Sequence, residues 1–249
     1  MTGPGVAPVI SRALEPLELR RAEEQLADRF VTAIALGEFV PGQRLPSERA
    51  LSAQLGVSRK TVRGALHALA GAGYVEIGRG RNGGAVVTRD WLPASASIVK
   101  RTLGANWQAF EELFDLRHLI EPLIARTAAA RRTADDVFRI EAACAAYDDA
   151  PDREASRAAD AALHAAIAAA TNNSHLASLS NEIRAQVSLG FGAEPYSAEI
   201  RRRAIGDHRN LVSAIADGNA EAAERIAHDH FLLTEDALRS LAARVEVRT

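Results

Sequence analysis

Between residues 46 and 73 the sequence writes two short helices, each with its own start and stop. Ser47 stands ahead of Glu48 to Leu55 and Gly56 follows; Ser58 stands ahead of a run from Arg59 to about Ala72 and Gly73 follows. A serine at an N-cap accepts a backbone N–H that the helix leaves unpaired, and a glycine just past the end takes the left-handed conformation that stops it. Only Gly56-Val57-Ser58 separates the two helices, so the pair must turn sharply, the layout of a helix-turn-helix. After Gly73 the pattern changes. Tyr74-Val75-Glu76-Ile77 and Ala85-Val86-Val87-Thr88 read as strands, joined by Gly78-Arg79-Gly80-Arg81-Asn82-Gly83-Gly84. A hairpin there, with a basic, glycine-rich tip, is a wing.

Charge points the same way. The whole chain carries a formal net charge of −2, which by itself does not suggest nucleic acid. Residues 44–89, however, hold eight basic residues (Arg44, Arg49, Arg59, Lys60, Arg63, Arg79, Arg81, Arg89) against Glu48 and Glu76, a net of +6 that leaves −8 for the rest. A local basic block on an acidic chain is an electrostatic footprint for a polyanion. The second helix of a helix-turn-helix enters the major groove by its N-terminal end, here Ser58-Arg59-Lys60-Thr61-Val62-Arg63. Arg59 and Arg63, four apart, share a face and suit two-pronged contacts to guanine; Lys60 and Thr61 suit phosphate or single base contacts. Val62, Ala65, Leu66 and Leu69 form the opposite, core-facing stripe. Arg49 on the preceding helix and Arg79 and Arg81 on the wing extend the basic surface, and Gly80 permits close approach. Any one of these arginines alone also reads as a solvated surface residue; the ordered set does not.

Ahead of this block, residues 1–16 read as a flexible arm and Leu17–Leu36 as a helix. Trp91–Ser97 reads as a linker, and everything beyond has helical spacing without a strand pattern. Candidate helices fall at 95–104, 107–130, 133–149, 152–171, 173–192, 197–217 and 219–244, with a break at Gly104. The fold class expected is therefore mostly α: a winged helix-turn-helix at 17–89, a linker at 90–97, and an all-α bundle of about seven helices at 98–245. Scarce aromatics, 5% of the chain, and abundant alanine favour closely packed helices. One cysteine, Cys144, rules out an intrachain disulfide or a cysteine zinc site, and its alanine neighbours mark it as a buried small hydrophobe. No apolar run is long enough to span a bilayer and no signal peptide is evident, so a cytoplasmic location is expected.

The chain has seven histidines. Asp160 and His164, four apart, place carboxylate and imidazole on one helix face, a start for a divalent metal site. His208 lies on the later candidate helix 197–217 and His230 on the last, 219–244. His228 and His230 are two apart and cannot both face one interior site. Spacing alone leaves each histidine equally readable as a core or surface residue. A metal-dependent hydrolase would also need a general base beside the ion, and no motif supplies one.

The run LGEFVPGQRLPSERALSAQLGVSRKTVRGALHALAGAGYVEIGRGRNGGAVV resembles the DNA-binding domain of GntR-family bacterial regulators. The match lies in its PGxxLPSER phrase, GVSRxTVRxAL helix, GxGYVE exit and glycine-rich wing. The resemblance implies DNA contacts from Arg49, Arg59, Lys60, Thr61, Arg63 and Gly80. Gly64 departs from the glutamate many members carry there, and a helical glycine costs about 1 kcal/mol relative to alanine. The segments FEELFDLRHLIEPLIARTAA, DAALHAAIAAATNNSHLASL and DHRNLVSAIADGNAEAAERIAHDHFLLTEDAL resemble the FCD effector domain of the FadR-type subfamily, in its metal-binding branch. That resemblance implies one divalent ion (Zn²⁺, Ni²⁺ or Mn²⁺) on Asp160, His164, His208 and His230, with His228 facing outward. It also implies a small carboxylate effector, an organic or sugar acid, met by Arg117, which reads equally as a surface salt-bridge partner. Asn172-Asn173 stands where the family commonly has Gly-Asn. The expected protein is a non-enzymatic, ligand-responsive regulator, a homodimer repressor reading an inverted-repeat DNA operator, with ligand acting through the linker. The alternatives are the same regulator without metal, sensing an acyl thioester, and a metal-dependent enzyme fused to a DNA-binding domain.

Overall fold

The computed structural model describes residues 21–78, 84–189, 191 and 197–247. The expected N-terminal arm, the first residues of the 17–36 helix and the wing-tip residues Arg79, Gly80 and Arg81 lie outside the described residues.

The protein is mostly α. α1 (Ala22–Ala35), α2 (Glu48–Leu55) and α3 (Arg59–Ala72) precede a two-stranded antiparallel sheet of β1 (Val75–Gly78) and β2 (Gly84–Val87). The caps work as the sequence requires. Ser47 accepts from the Ala50 amide and Ser58 from the Thr61 amide, while Gly56 (φ 65°) and Gly73 (φ 85°) stop the helices in the left-handed region. In the hairpin Val75 pairs with Val87 and Gly78 with Gly84, and Arg44 adds a bridge to Val86 from before α2. The core of this half joins Phe30, Val31 and Ile34 of α1 to Leu51, Val62, Leu66, Leu69, Tyr74 and Val87.

Gly64 has its own explanation. A Cβ built there would lie 2.5 Å from Glu23 Oε2 and 3.1 Å from Glu23 Cβ, so the glycine lets α1 lie close against α3.

The helical half begins at Ser95, inside the stretch expected as linker. α4 (Ser95–Arg131) runs 37 residues without interruption, so the expected break at Gly104 and the two separate helices around it are not there. The described residues therefore hold six helices in this half, not seven: α4, α5 (Ala134–Asp148), α6 (Arg153–Ala169), α7 (Ser174–Val187), α8 (Ala198–Asp217) and α9 (Ala220–Arg244). A glycine within a helix costs only about 1 kcal/mol. The buried stripe Val99, Leu103, Trp107, Phe110, Phe114 crosses Gly104 in helical register and outweighs that cost. α4 packs mainly on α9, α5 on α6 and α8, and α8 on α9. Fully buried alanines (Ala128, Ala129, Ala223, Ala227, Ala242) allow this close approach. Asn172, where the family commonly has glycine, takes the same left-handed turn at φ 52°, and Asn173 caps α7.

The expected linker is itself packed. The Tyr74 hydroxyl lies 2.7 Å from Ser95 Oγ, and the Arg244 guanidinium sits 3.7 Å from the centre of the Trp91 ring. No helix among the described residues is long and apolar enough to cross a membrane.

Candidate metal centre and nucleic-acid interface

Three helices deliver three imidazoles to one buried point. α6 supplies His164, α8 His208 and α9 His230, all buried. His230 Nε2 lies 3.2 Å from His208 Nε2 and 3.3 Å from His164 Nε2. An imidazole nitrogen has a single in-plane site, a proton or a lone pair, so His230 Nε2 cannot make a good hydrogen bond to both. Two nitrogens about 2.0–2.1 Å from one tetrahedral ion lie about 3.3–3.4 Å apart, close to the spacings here. The donor set thus fits a divalent cation better than a hydrogen-bonded core cluster. Among the described residues these three are the group of histidines, cysteines and carboxylates that could hold a metal ion.

Asp160, one turn before His164 on α6, joins them. Its Oδ1 lies 3.7 Å from His164 Nε2 and 3.5 Å from His208 Nε2. Its Oδ2 accepts from Arg184 Nη2 of α7 at 3.0 Å. The electrostatics leave the ligand atoms ready. Burial, then the neighbouring His230, pushes His208 down to about 4, so it is neutral at physiological pH with its lone pair available. Burial works to raise Asp160, but Arg184 and His208 outweigh it and hold the carboxyl below its usual range.

The next shell contains residues that sequence reasoning missed. Asp207 Oδ2 lies 3.5 Å from His230 Nδ1, an arrangement that fixes tautomer and ring orientation in metal-ligating histidines. The neighbouring His230 imidazole holds the Asp207 carboxyl below its usual range. The Tyr147 ring stands edge-on to His208 with centroids 4.6 Å apart. Adjacency to His208 is the one sequence signal for Asp207. Arg184 has none, because only the packing of α7 on α6 brings it to Asp160.

Arg117 is 1% exposed, not a surface residue. Its guanidinium lies 4.5 Å from the centre of the Phe231 ring, whose centroid is 5.1 Å from both His164 and His230. It is therefore one ring away from the histidines. His228 faces outward, its side chain 48% exposed beside Asp229.

On the other half, Arg49, Arg59, Lys60 and Arg63 are exposed and Thr61 is half-buried. The Thr61 hydroxyl lies 2.9 Å from Ser58 Oγ, part of the cap. Arg59 and Lys60 occupy the open N-terminal turn of α3. Arg63 differs: its Nε and Nη2 donate to both Glu48 carboxylate oxygens, at 2.8–3.2 Å, bracing α3 against α2. The same bonds lower the Glu48 pKa. Arg79 and Gly80 of the wing lie outside the described residues.

A helix-turn-helix with its hairpin, followed by a helical domain, is the architecture of a DNA-binding transcription regulator. The comparisons with known proteins agree. Residues 22–87 match the bacterial regulatory proteins of the gntR family, and residues 112–233 match the FCD domain. The chain is 32% identical over 218 residues to the putative HTH-type transcriptional regulator RmpR of Mycobacterium gastri, covering 86% of this chain and 78% of that one. It is 30% identical over 211 residues to the HTH-type transcriptional regulator LutR of Bacillus subtilis, covering 81% and 94%. It is 28% identical over 198 residues to the galactonate operon transcriptional repressor of Escherichia coli K12, covering 78% and 86%. This chain belongs to the GntR family of transcription regulators, in the group that carries an FCD domain. It is a regulator, not an enzyme.

Proposed function

We propose that this regulator is a homodimeric repressor that binds an inverted-repeat operator and senses a small carboxylate through a metal ion. On this reading residues 17–89 form the DNA-binding domain, 98–245 the effector domain, and 90–97 join them. Arg49, Arg59, Lys60, Thr61, Arg63, Arg79 and Gly80 form the DNA-contacting set. Asp160, His164, His208 and His230 hold one Zn²⁺, Ni²⁺ or Mn²⁺, and Arg117 meets the effector's carboxylate. The observation that carries it is the meeting of three buried imidazoles from α6, α8 and α9 with an ionised carboxylate beside them. Bound there, the ion would supply a positive centre able to attract an anionic ligand. Galactonate, named in one relative's function, is a sugar acid and supports that effector class. Effector would change operator affinity only to the extent that it prefers one arrangement of the two DNA-binding domains.

The test is metal analysis of purified protein followed by a thermal-shift screen of organic and sugar acids on metal-loaded protein. About one equivalent of metal per chain, lost in His208→Ala, is the expected result. Less than half an equivalent after incubation with Zn²⁺, Ni²⁺ and Mn²⁺ in turn would overturn the metal reading.

A further inference from the structure

Between the two halves lies a cleft of about 550 Å³, a size that suits a small molecule. Both halves build its walls. Arg29 of α1 and Gln54 of α2 stand on the DNA-binding side, and α4 and the end of α7 form the other. Thr102, Asn106, Ala109 and Leu113 recur every three to four residues, so one face of α4 makes that wall. The floor is apolar, with Phe110, Leu113 and Leu189 all buried. None of Asp160, His164, His208 and His230 lines it.

Arg29, half-buried, is the one charged side chain in the lining. Its Nη2 donates to the Leu189 carbonyl, and its guanidinium lies 5.6 Å from the centre of the Phe191 ring. Among the described residues no carboxylate forms an ion pair with it, and Glu38 acts on it only through its field. Burial outweighs that field and pushes Arg29 below its usual pKa, so the charge is under-compensated where it stands. Leu189 takes the left-handed conformation at φ 52°, uncommon for a bulky residue. Such strain persists only where the surroundings hold it, and it gathers at ligand sites. The exposed carboxamides of Gln54, Asn106 and Gln186 complete the rim. An apolar floor, one under-compensated cation and a few amides match an apolar body that carries a single negative group. A sugar acid would instead set its hydroxyls against Phe110 and Leu113, where they find no partners.

We propose that this cleft is a second ligand site, separate from the histidine cluster, for an apolar monocarboxylate of the arylacetate kind. The carboxylate meets Arg29 and the apolar body lies on Phe110 and Leu113. Because α1 and α2 form one wall and α4 and α7 the other, an occupant ties the helix-turn-helix to the helical half. It changes operator affinity to the extent that it prefers that arrangement.

The experiment is calorimetric titration of the full chain with phenylacetate, using 2-phenylethanol as the uncharged match. Phenylacetate should bind saturably, and 2-phenylethanol at least about tenfold more weakly. Arg29→Gln should weaken phenylacetate at least about tenfold, and Arg29→Lys should keep part of the binding. Ala109→Phe fills the cleft from α4 and leaves Arg29 in place; it should abolish binding with an unchanged circular dichroism spectrum. His208→Ala should bind as wild type does. Phenylacetate should also slow amide exchange around Gln54 and around Leu189 together. No saturable binding below about 10 mM would overturn the site, as would equal binding of 2-phenylethanol. Binding indifferent to Ala109→Phe would place the acid elsewhere. Binding lost in His208→Ala, at unchanged circular dichroism, would assign it to the histidine cluster instead.

Discussion

Arg59 and Arg63 lie one turn apart on α3, yet their surroundings differ. The Glu48 carboxylate occupies the Arg63 guanidinium through three hydrogen bonds, so any base contact by Arg63 must compete with that pair. Among the described residues Arg59 has no such hydrogen-bonded carboxylate to give up. Arg59→Ala should therefore weaken operator binding by about 1–3 kcal/mol and relax selectivity at one base position. Titration against operators substituted at single positions measures this; an unchanged operator preference would remove Arg59 from the reading set. The sequence showed both arginines equally. It could not show that Arg63 is braced, because Glu48 is fifteen residues away and meets it only once α2 and α3 pack. The histidines follow the same logic. Asp160 and His164 were legible as a pair because one helix fixes their spacing, whereas His208 and His230 joined them on the strength of the family resemblance.

At the scale of the element, caps and stops were readable and long-range packing was not. The Ser47 and Ser58 starts and the Gly56 and Gly73 stops all act as their local chemistry dictates. Gly104 was misread because its local cost is small beside the buried stripe that flanks it. A Cβ at Gly104 would meet nothing within 4 Å, and the residue is helical and exposed. Gly104→Ala should then stabilise the protein by about 0.5–1 kcal/mol, read as a higher urea midpoint with an unchanged slope. The α5 start offers a second check. Asp136 accepts from the Thr133 amide at 3.0 Å and hydroxyl at 2.8 Å while Thr133 accepts from the Asp136 amide, a reciprocal capping box. The Thr133 amide, then its hydroxyl, holds the Asp136 carboxyl below the usual carboxylate range. A carboxyl depressed by folding stabilises the native state above its unfolded pKa and loses that contribution as pH falls through the folded value. Asp136→Ala should cost about 0.5–1 kcal/mol at neutral pH. The difference from wild type should begin to close only below about pH 4. A gap that stays constant down to pH 2 would contradict the ionised cap.

The two halves of the molecule are joined by more than the segment between them. Arg101 of α4 donates twice to Asp28 of α1, at 2.8 and 3.1 Å. The Phe191 ring, just beyond α7, packs tilted against Phe30 (centroids 4.6 Å apart) and edge-on to Phe39 (5.4 Å), and Arg29 donates to the Leu189 carbonyl. Arg157 of α6 donates to the Glu38 and Gly37 carbonyls, on the turn after α1. On α6, Arg157 lies three residues before Asp160 and seven before His164, on the same helical face. The helix that carries two candidate ligands therefore also grips the DNA-binding half, whereas the sequence pointed only to the linker near 90–97. Arg157→Ala should leave metal content unchanged while loosening that grip. Amide exchange around residues 36–40 should accelerate at least about tenfold. Unaltered exchange there would show that α6 does not hold the turn.

By itself the sequence determined the mostly α fold class, the helix-turn-helix with its hairpin and most helix boundaries. Each of those rests on neighbours a few residues apart, where caps, glycines and periodicity act. Tertiary structure alone decided that α4 is unbroken, that Arg63 is paired and Arg117 buried, and that Arg184 and Asp207 stand beside the histidines. These depend on what each side chain is buried against once separate elements pack, which the caps and turns within one element do not specify.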